Sequence, residues 1–217
     1  IVLNQKFTSE NKLKVIGNGS SNGIDTSFFD PKLFLPKKKN ILKSELGIER
    51  NDFVFIFVGR LVADKGINEL VEVFNELCLD LKGIKLLLVG PFEDDLDPLS
   101  EKTKLLISSQ DKIISVGYQN EVRPFFAISN LLVFPSYREG FPNVVMQAGA
   151  MGLPSIVTDI NGCNEIIQTD CNGIVVPSKD IESLKRAMSR ICQDKELYLK
   201  YSAKSRLAIV NNYEQKL

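Results

Sequence analysis

Glu139, Gly140 and Phe141 stand immediately before a predicted helix start, which makes them the best anion site in this sequence. The apolar run Leu131 to Phe134 predicts a short strand and Pro135 to Phe141 a loop. Pro142 stands where a helix reaching Met151 would take its first residue, because proline's fixed φ and missing N–H cost nothing there. The unpaired N–H groups of that first turn, among them those of Asn143 and Val144, face whatever occupies the loop. So does the positive end of the helix dipole, an effect of about 0.3–2 kcal/mol.

A second set of candidates follows the buried-strand pattern Phe53 to Val58. There Gly59, Arg60 and, five residues on, Lys65 lie between a strand end and a helix starting near Ile67. An arginine can fork two N–H groups onto phosphate oxygens and a lysine adds a point charge, so the pair can neutralise a diphosphate without a metal. Taken alone, the same residues read equally well as a surface Arg and Lys beside Asp64.

Three further stretches carry chemistry-bearing residues. Asp95-Leu96-Asp97 has the spacing of a carboxylate pair for a hard cation; beside Asp94 and Pro98 it reads rather as an exposed acidic loop leading into a helix. Gly17 to Gly23 imitates a dinucleotide-binding glycine loop, but Pro31 and Pro36 leave no helix to follow it. Glu165, after Asn161-Gly162-Cys163-Asn164, either faces the same cleft or charges the start of a short helix.

Behind these loops lies a regular alternation. Strands are expected at Lys12 to Gly17, Phe53 to Val58, Ile84 to Val89, Lys112 to Val116, Leu131 to Phe134 and Ser155 to Thr158, with a last one at Ile174 to Val176. Helices are expected at Asn40 to Leu46, Ile67 to Leu81, Pro98 to Ser108, Val122 to Ile128 and Pro142 to Met151, with a turn near Glu165. Asp180 and Asp194 then cap two amphipathic helices, running through Ile191 and to about Val210. The segment Phe28 to Pro36 is a connector broken by its two prolines. Strand–helix alternation implies right-handed crossovers and an α/β, doubly wound, mostly parallel sheet, whose ligands bind at the carboxyl ends of the strands. The loops above all lie there.

Composition narrows the class. With 44% hydrophobic residues the chain can bury about 70% of its unfolded surface, enough for one substantial core. Lys+Arg and Asp+Glu balance at 27 each, so no global field favours nucleic acid or an anionic membrane. The patch Lys37-Lys38-Lys39 is local and reads as a solvated helix start, with a lipid-surface contact as the alternative. There is no histidine, which removes the commonest general base and metal ligand. The four cysteines form no Cys-x-x-Cys pair and fit a reducing, cytoplasmic setting. No apolar run is long enough for a transmembrane segment, and Ile1-Val2-Leu3 has the look of a cut end.

Glu139-Gly140-Phe141-Pro142, a helix, then Gly152-x-Pro154, together with Gly59-Arg60-Leu61 followed by Lys65-Gly66, resembles the carboxyl-terminal half of GT-B-fold retaining glycosyltransferases of family 4. The resemblance runs from about Lys14 to Met188. It implies a Rossmann-like half of a GT-B fold, with residues 1–24 a linker from a missing amino-terminal acceptor domain. Residues 25–192 would be the donor nucleotide-sugar-binding domain, and 193–217 a carboxyl-terminal helix that in the family packs back across the first domain. It also implies the site: Arg60 and Lys65 on the donor diphosphate with Gly59 beside them, Glu139 on the donor sugar, and Gly140, Phe141, Pro142, Asn143 and Val144 around the anion. The backbone of Tyr118 and Gln119 would meet the nucleobase, where Glu121 is either a base contact or a helix-start charge.

One position departs from the pattern. The family's second Glu, on the donor ribose, is Gln147 here, whose amide bonds a hydroxyl without the charge-assisted strength of a carboxylate. The resemblance implies transfer of a hexose or acetamido-hexose, with no cofactor or metal. The donor would be a UDP- or GDP-linked sugar and the acceptor a surface polysaccharide or lipid-linked sugar. The isolated half would be inactive, and the whole enzyme would meet the inner face of the membrane through its missing domain. A nucleotide-sugar epimerase of the same fold and a non-catalytic nucleotide-sugar sensor are the rival readings.

Overall fold

The computed structural model describes residues 8, 9, 12, 23–95 and 97–215. The strand expected at Lys12 to Gly17, the glycine-rich loop after it and nearly all of the expected 1–24 linker fall outside them. Six strands, β1 (Phe53–Val58), β2 (Ile84–Val89), β3 (Ile113–Ser115), β4 (Leu131–Phe134), β5 (Ser155–Thr158) and β6 (Gly173–Val176), form one sheet in the order β3-β2-β1-β4-β5-β6. Every pairing is parallel, so among the described residues the expected "mostly parallel" sheet is wholly so. The interiors of β1 and β4 are apolar and fully buried, as a sheet covered on both faces requires.

The helices are α1 (Pro36–Glu45), α2 (Ile67–Asp80), α3 (Glu101–Ser109), α4 (Arg123–Ile128), α5 (Asn143–Ala150), α6 (Cys163–Ile166), α7 (Ile181–Gln193) and α8 (Lys195–Tyr213). α2 packs with α3 and α7; α1 packs with α4, and α5 with α8. Leu70, Val71, Phe74 and Leu77 form the buried face of α2 expected from their spacing. Asp180 and Asp194 accept from the backbone N–H of Ser183 and Leu197, both at 2.9 Å, and so start the last two helices as expected.

Four helix starts differ from expectation, among them α4, which begins at Arg123 with Val122 as its N-cap. α1 begins at Pro36 rather than Asn40, because proline at the first helical position initiates a helix rather than breaking it. α3 begins after Ser100, whose hydroxyl accepts from Thr103 N–H, so Pro98 belongs to the preceding loop. Pro142 is the N-cap of α5, in extended conformation, and Asn143 is its first residue.

β1 pairs with β2 on one side and β4 on the other. The chain builds outward from β1 to β3 and then returns to build outward from β4, so the topological switch lies between the ends of β1 and β4. Around this sheet α8 is part of the same core. Tyr201 and Ile209 are fully buried, and Ile209 Cγ1 lies where a Cβ on Gly149 of α5 would stand at 2.6 Å. Arg206 of α8 donates to the carbonyls of Phe29 and Thr26 at 2.7 and 2.9 Å and to that of Ala150, tying the connector and the end of α5 together. Ile209→Ala is expected to lower the unfolding free energy by about 2–4 kcal/mol, measured by urea denaturation, because the cavity opens between two helices that cannot close on it.

Candidate active site

The switch between β1 and β4 is where the candidate residues meet. After β1 the chain passes through Gly59 and Arg60 into a short 3-10 turn, Ala63–Lys65, and Gly66 then starts α2 with φ of 70°. A side chain at Gly66 is excluded twice over: by that left-handed conformation, and because a Cβ would stand 2.2 Å from the Pro135 carbonyl oxygen at the end of β4. The two loops are therefore pressed together, and Tyr137 N–H donates to the Asp64 carbonyl at 2.9 Å across the same seam. This contact brings Lys65 Nζ within 2.6 Å of Glu139 Oε1, with the two side chains only 15% and 17% exposed. Ser136, wholly buried, donates its hydroxyl to the same oxygen at 2.8 Å. Glu139 Oε2 makes no hydrogen bond among the described residues, so the carboxylate is held by one oxygen and open at the other.

Gly140 and Phe141 lead from Glu139 to Pro142. α5 has no side-chain cap, leaving the N–H groups of Asn143 and Val144 without intrahelical partners. The loop is backed by Gly162, whose φ is 75° and whose Cβ would meet the Gly140 carbonyl oxygen at 2.5 Å. Glu165 accepts from Gly162 N–H at 3.2 Å, so its carboxylate holds this loop at the start of α6. The Phe141 ring rests 5.7 Å from that of Tyr213 at the end of α8. Gln147 lies one turn into α5, half-buried, its amide making no hydrogen bond among the described residues.

The remaining candidates lie around this centre. Arg60 pairs with Glu93 at 2.7 Å, and both are partly solvent-exposed. Glu93 raises the guanidinium's already high pKa, chiefly through that bond, with smaller contributions from Asp64 and Glu139. Tyr118 is exposed, and Gln119 donates its amide to the Val116 carbonyl at 2.8 Å, in the loop after β3. Glu121 accepts from Arg123 N–H at 3.0 Å and pairs with the Arg123 guanidinium, so it serves the start of α4. Asp97 is committed to the backbone: its carboxylate accepts from Asp64 N–H at 2.6 Å and its carbonyl from Ala63 N–H at 3.1 Å. Among the described residues no group of three or more Cys, Asp or Glu side chains converges as metal ligands do.

Ser136, which orients Glu139, was not singled out from the sequence. Gly66 and Asp97 were, but for other reasons: Gly66 within the Lys65-Gly66 signature, and Asp97 as one of a carboxylate pair or an acidic loop. In the structure Gly66 permits the loop contact and Asp97 fixes the turn that carries Lys65.

Comparison with known proteins fits this geometry. The family of glycosyl transferases group 1 matches residues 38–208. The chain belongs to that family. It is 28% identical over 217 residues to a capsular polysaccharide biosynthesis glycosyltransferase of Staphylococcus aureus, covering 100% of this chain and 55% of that protein. It is 29% identical over 218 residues to the Escherichia coli UDP-Gal:alpha-D-GlcNAc-diphosphoundecaprenol alpha-1,3-galactosyltransferase, covering 98% and 53%. The chain thus spans about half the length of these relatives. The crystal structure of a glycosyltransferase from Rickettsia africae superposes with a TM-score of 0.86 over 99% of this chain and 56% of that one, at 24% identity. The group 1 fold is therefore shared, a GT-B-type α/β sheet, and no helix among the described residues is long and apolar enough to cross a membrane.

Cys163 lies behind the loop, fully buried, and its thiol is pushed up to about 12 by burial, with the Glu139 charge adding to the rise. The protonated form is favoured by folding. That contribution to stability is whole below the ordinary thiol value and is lost as pH rises from about 9 toward 12. Iodoacetamide at pH 8 is expected to leave Cys163 unmodified in the native chain and to label it once urea unfolds the protein. Native labelling there would show that the thiol is reachable and ionised.

Proposed function

We propose that this chain is the donor-binding half of a retaining family 4 glycosyltransferase, moving a hexose or acetamido-hexose from a UDP- or GDP-linked sugar to a lipid-linked or polysaccharide acceptor. The observation that carries the reading is the Lys65–Glu139 pair at the β1/β4 switch, set beside the uncapped start of α5. One cation, two free backbone N–H groups and a half-open carboxylate converge there. A nucleotide sugar presents a diphosphate to the first two and sugar hydroxyls to the third.

In this reading Lys65 uses its remaining N–H donors on the phosphate nearest the sugar, while the Asn143 and Val144 N–H groups hold its oxygens. Glu139, fixed through Oε1 by Lys65 and Ser136, accepts a sugar hydroxyl at Oε2 and so orients the donor. Arg60 leaves Glu93 for the second phosphate. As the sugar–phosphate bond breaks, its electron pair stays on the diphosphate; the acceptor hydroxyl oxygen bonds to the anomeric carbon on the same face and its proton passes to the departing phosphate oxygen, while these fixed donors stabilise the growing charge without a metal. Gln147 takes the ribose and the loop at Tyr118 and Gln119 the base. The names of the two relatives support UDP-linked donors and lipid-linked or capsular acceptors. A second, amino-terminal domain would supply the acceptor site, consistent with the half-length match.

Calorimetric titration with UDP, UDP-glucose and uridine, with and without EDTA, tests this reading. EDTA is expected to change nothing. Lys65→Ala should weaken UDP by on the order of 1.5–3 kcal/mol while leaving uridine unchanged, and Arg60→Ala should do the same by less, since its guanidinium starts half-exposed. Equal losses for UDP and uridine, or binding that requires a divalent ion, would contradict the assignment. In the same assay Gln147→Glu should tighten UDP modestly and 2′-deoxy-UDP by less, since a carboxylate accepts both ribose hydroxyls more strongly than an amide and the deoxy sugar keeps only one of them.

A further inference from the structure

The connector and first helix carry a charge pattern that the donor site does not use. Residues 31–44 hold five lysines, Lys32, Lys37, Lys38, Lys39 and Lys43, and no acidic residue, in a chain whose basic and acidic residues balance overall at 27 each. None of the five makes an ion pair among the described residues. Lys37, Lys38 and Lys39 occupy the first turn of α1, where the helix dipole disfavours positive charge, and no side chain caps that turn. Folding alone gives no reason for this arrangement.

The same segment also exposes large apolar side chains. Leu33 is 56%, Leu35 61% and Ile41 49% exposed, and α1 has no buried residue at all. Lys37 and Ile41 share one helical face with Asn40, Ser44 and Glu45, the last an acid at the far end of the helix. Burial holds the Lys39 and Lys43 ammonium groups below the usual lysine value; for Lys43 the Asp52 charge offsets part of this and the Lys39 charge adds to it. Upstream, Phe28 is held under the guanidinium of Arg123, 3.4 Å from its ring centre, at the start of α4. The connector therefore starts at the carboxyl edge of the sheet, on which the candidate active site opens. α1 leads back toward the amino end of β1.

We infer that the 33–41 surface docks on an anionic lipid bilayer, with Lys37, Lys38 and the flanking lysines on the headgroups and Leu33, Leu35 and Ile41 entering the interface. Charge complementarity selects the occupant. A second copy of the chain would set the exposed Lys32, Lys37 and Lys38 against their own copies in a two-fold contact. Nucleic acid would satisfy the lysines but leave three aliphatic side chains without an apolar phase. A bilayer surface with acidic headgroups takes both. This inference stands on residues 28–45 and does not depend on the donor assignment. It gives this chain its own membrane contact, where the sequence had pointed to a missing domain.

Co-sedimentation of the 217-residue chain with phosphatidylcholine vesicles, with and without phosphatidylglycerol, tests it. Binding is expected only to the anionic vesicles and should fall as salt is raised. The double variant Lys37→Glu/Lys38→Glu should lose on the order of ten-fold or more in apparent affinity, and Leu33→Ser/Leu35→Ser should also weaken binding. Lys204→Glu, an exposed charge on α8, should not. All the altered side chains are solvent-exposed, so the near-UV circular dichroism of each variant should match wild type. Equal binding to both vesicle types, no loss in the Lys37/Lys38 variant, or an equal loss in Lys204→Glu would overturn the inference. So would a concentration-dependent dimer abolished by Leu33→Ser/Leu35→Ser, which would assign the face to a second copy.

Discussion

The close approach of Gly66 to the Pro135 carbonyl is the constraint on which the site depends. It lies at the one place in the sheet where neighbouring strands send their chains in opposite directions, and it requires a residue without a Cβ in a left-handed conformation. With the loops seated against each other, a lysine that follows β1 and a glutamate that follows β4 share a hydrogen bond although 74 residues separate them. Elsewhere along the sheet, parallel strands are covered by their own crossovers. At the switch the crevice stays open, and the groups at its lip are positioned by backbone contact rather than by long side chains.

The pair's electrostatics follow from this geometry. Two charges largely removed from water repay their desolvation only when their remaining hydrogen-bonding capacity is met, and here Ser136 meets part of Glu139's. The second carboxylate oxygen and the remaining lysine N–H groups have no partner among the described residues. The uncapped start of α5 extends the same arrangement, with backbone donors fixed before any ligand arrives. Behind it, Gly162, Glu165 and the Phe141–Tyr213 contact brace the loop from β5 and α8. Packing that is remote in sequence thus sets the position of a few polar atoms.

The strands were legible because they are short runs dominated by apolar and β-branched residues and bounded by turn residues, and the doubly wound order follows from their alternation with helices. Helix starts were less so. Pro36 and Pro98 are the same residue type with opposite consequences: one initiates α1, while the other precedes the Ser100 that caps α3. At the site, Glu139, Lys65 and the α5 start could be read from motif and spacing. Their mutual contact could not, since it is a product of tertiary seating. The roles of Ser136 and Asp97 were hidden for the same reason: a serine after a strand and an aspartate in an acidic loop carry no periodic signal, and those roles exist only once Glu139 and the Asp64 amide are brought to them. The lysine run was visible, but the exposed leucines beside it had read as connector.

The central claim, that the β1/β4 switch is a built anion and sugar site, is tested most directly by backbone amide chemical shifts of the isotopically labelled chain titrated with UDP. The account predicts that the largest changes fall on Gly59, Arg60, Lys65, Gly66 and the amides from Gly140 to Val144, with smaller ones near Tyr118. Changes confined to the outer faces of α7 and α8, with the Gly140 to Val144 amides unmoved at saturation, would contradict it.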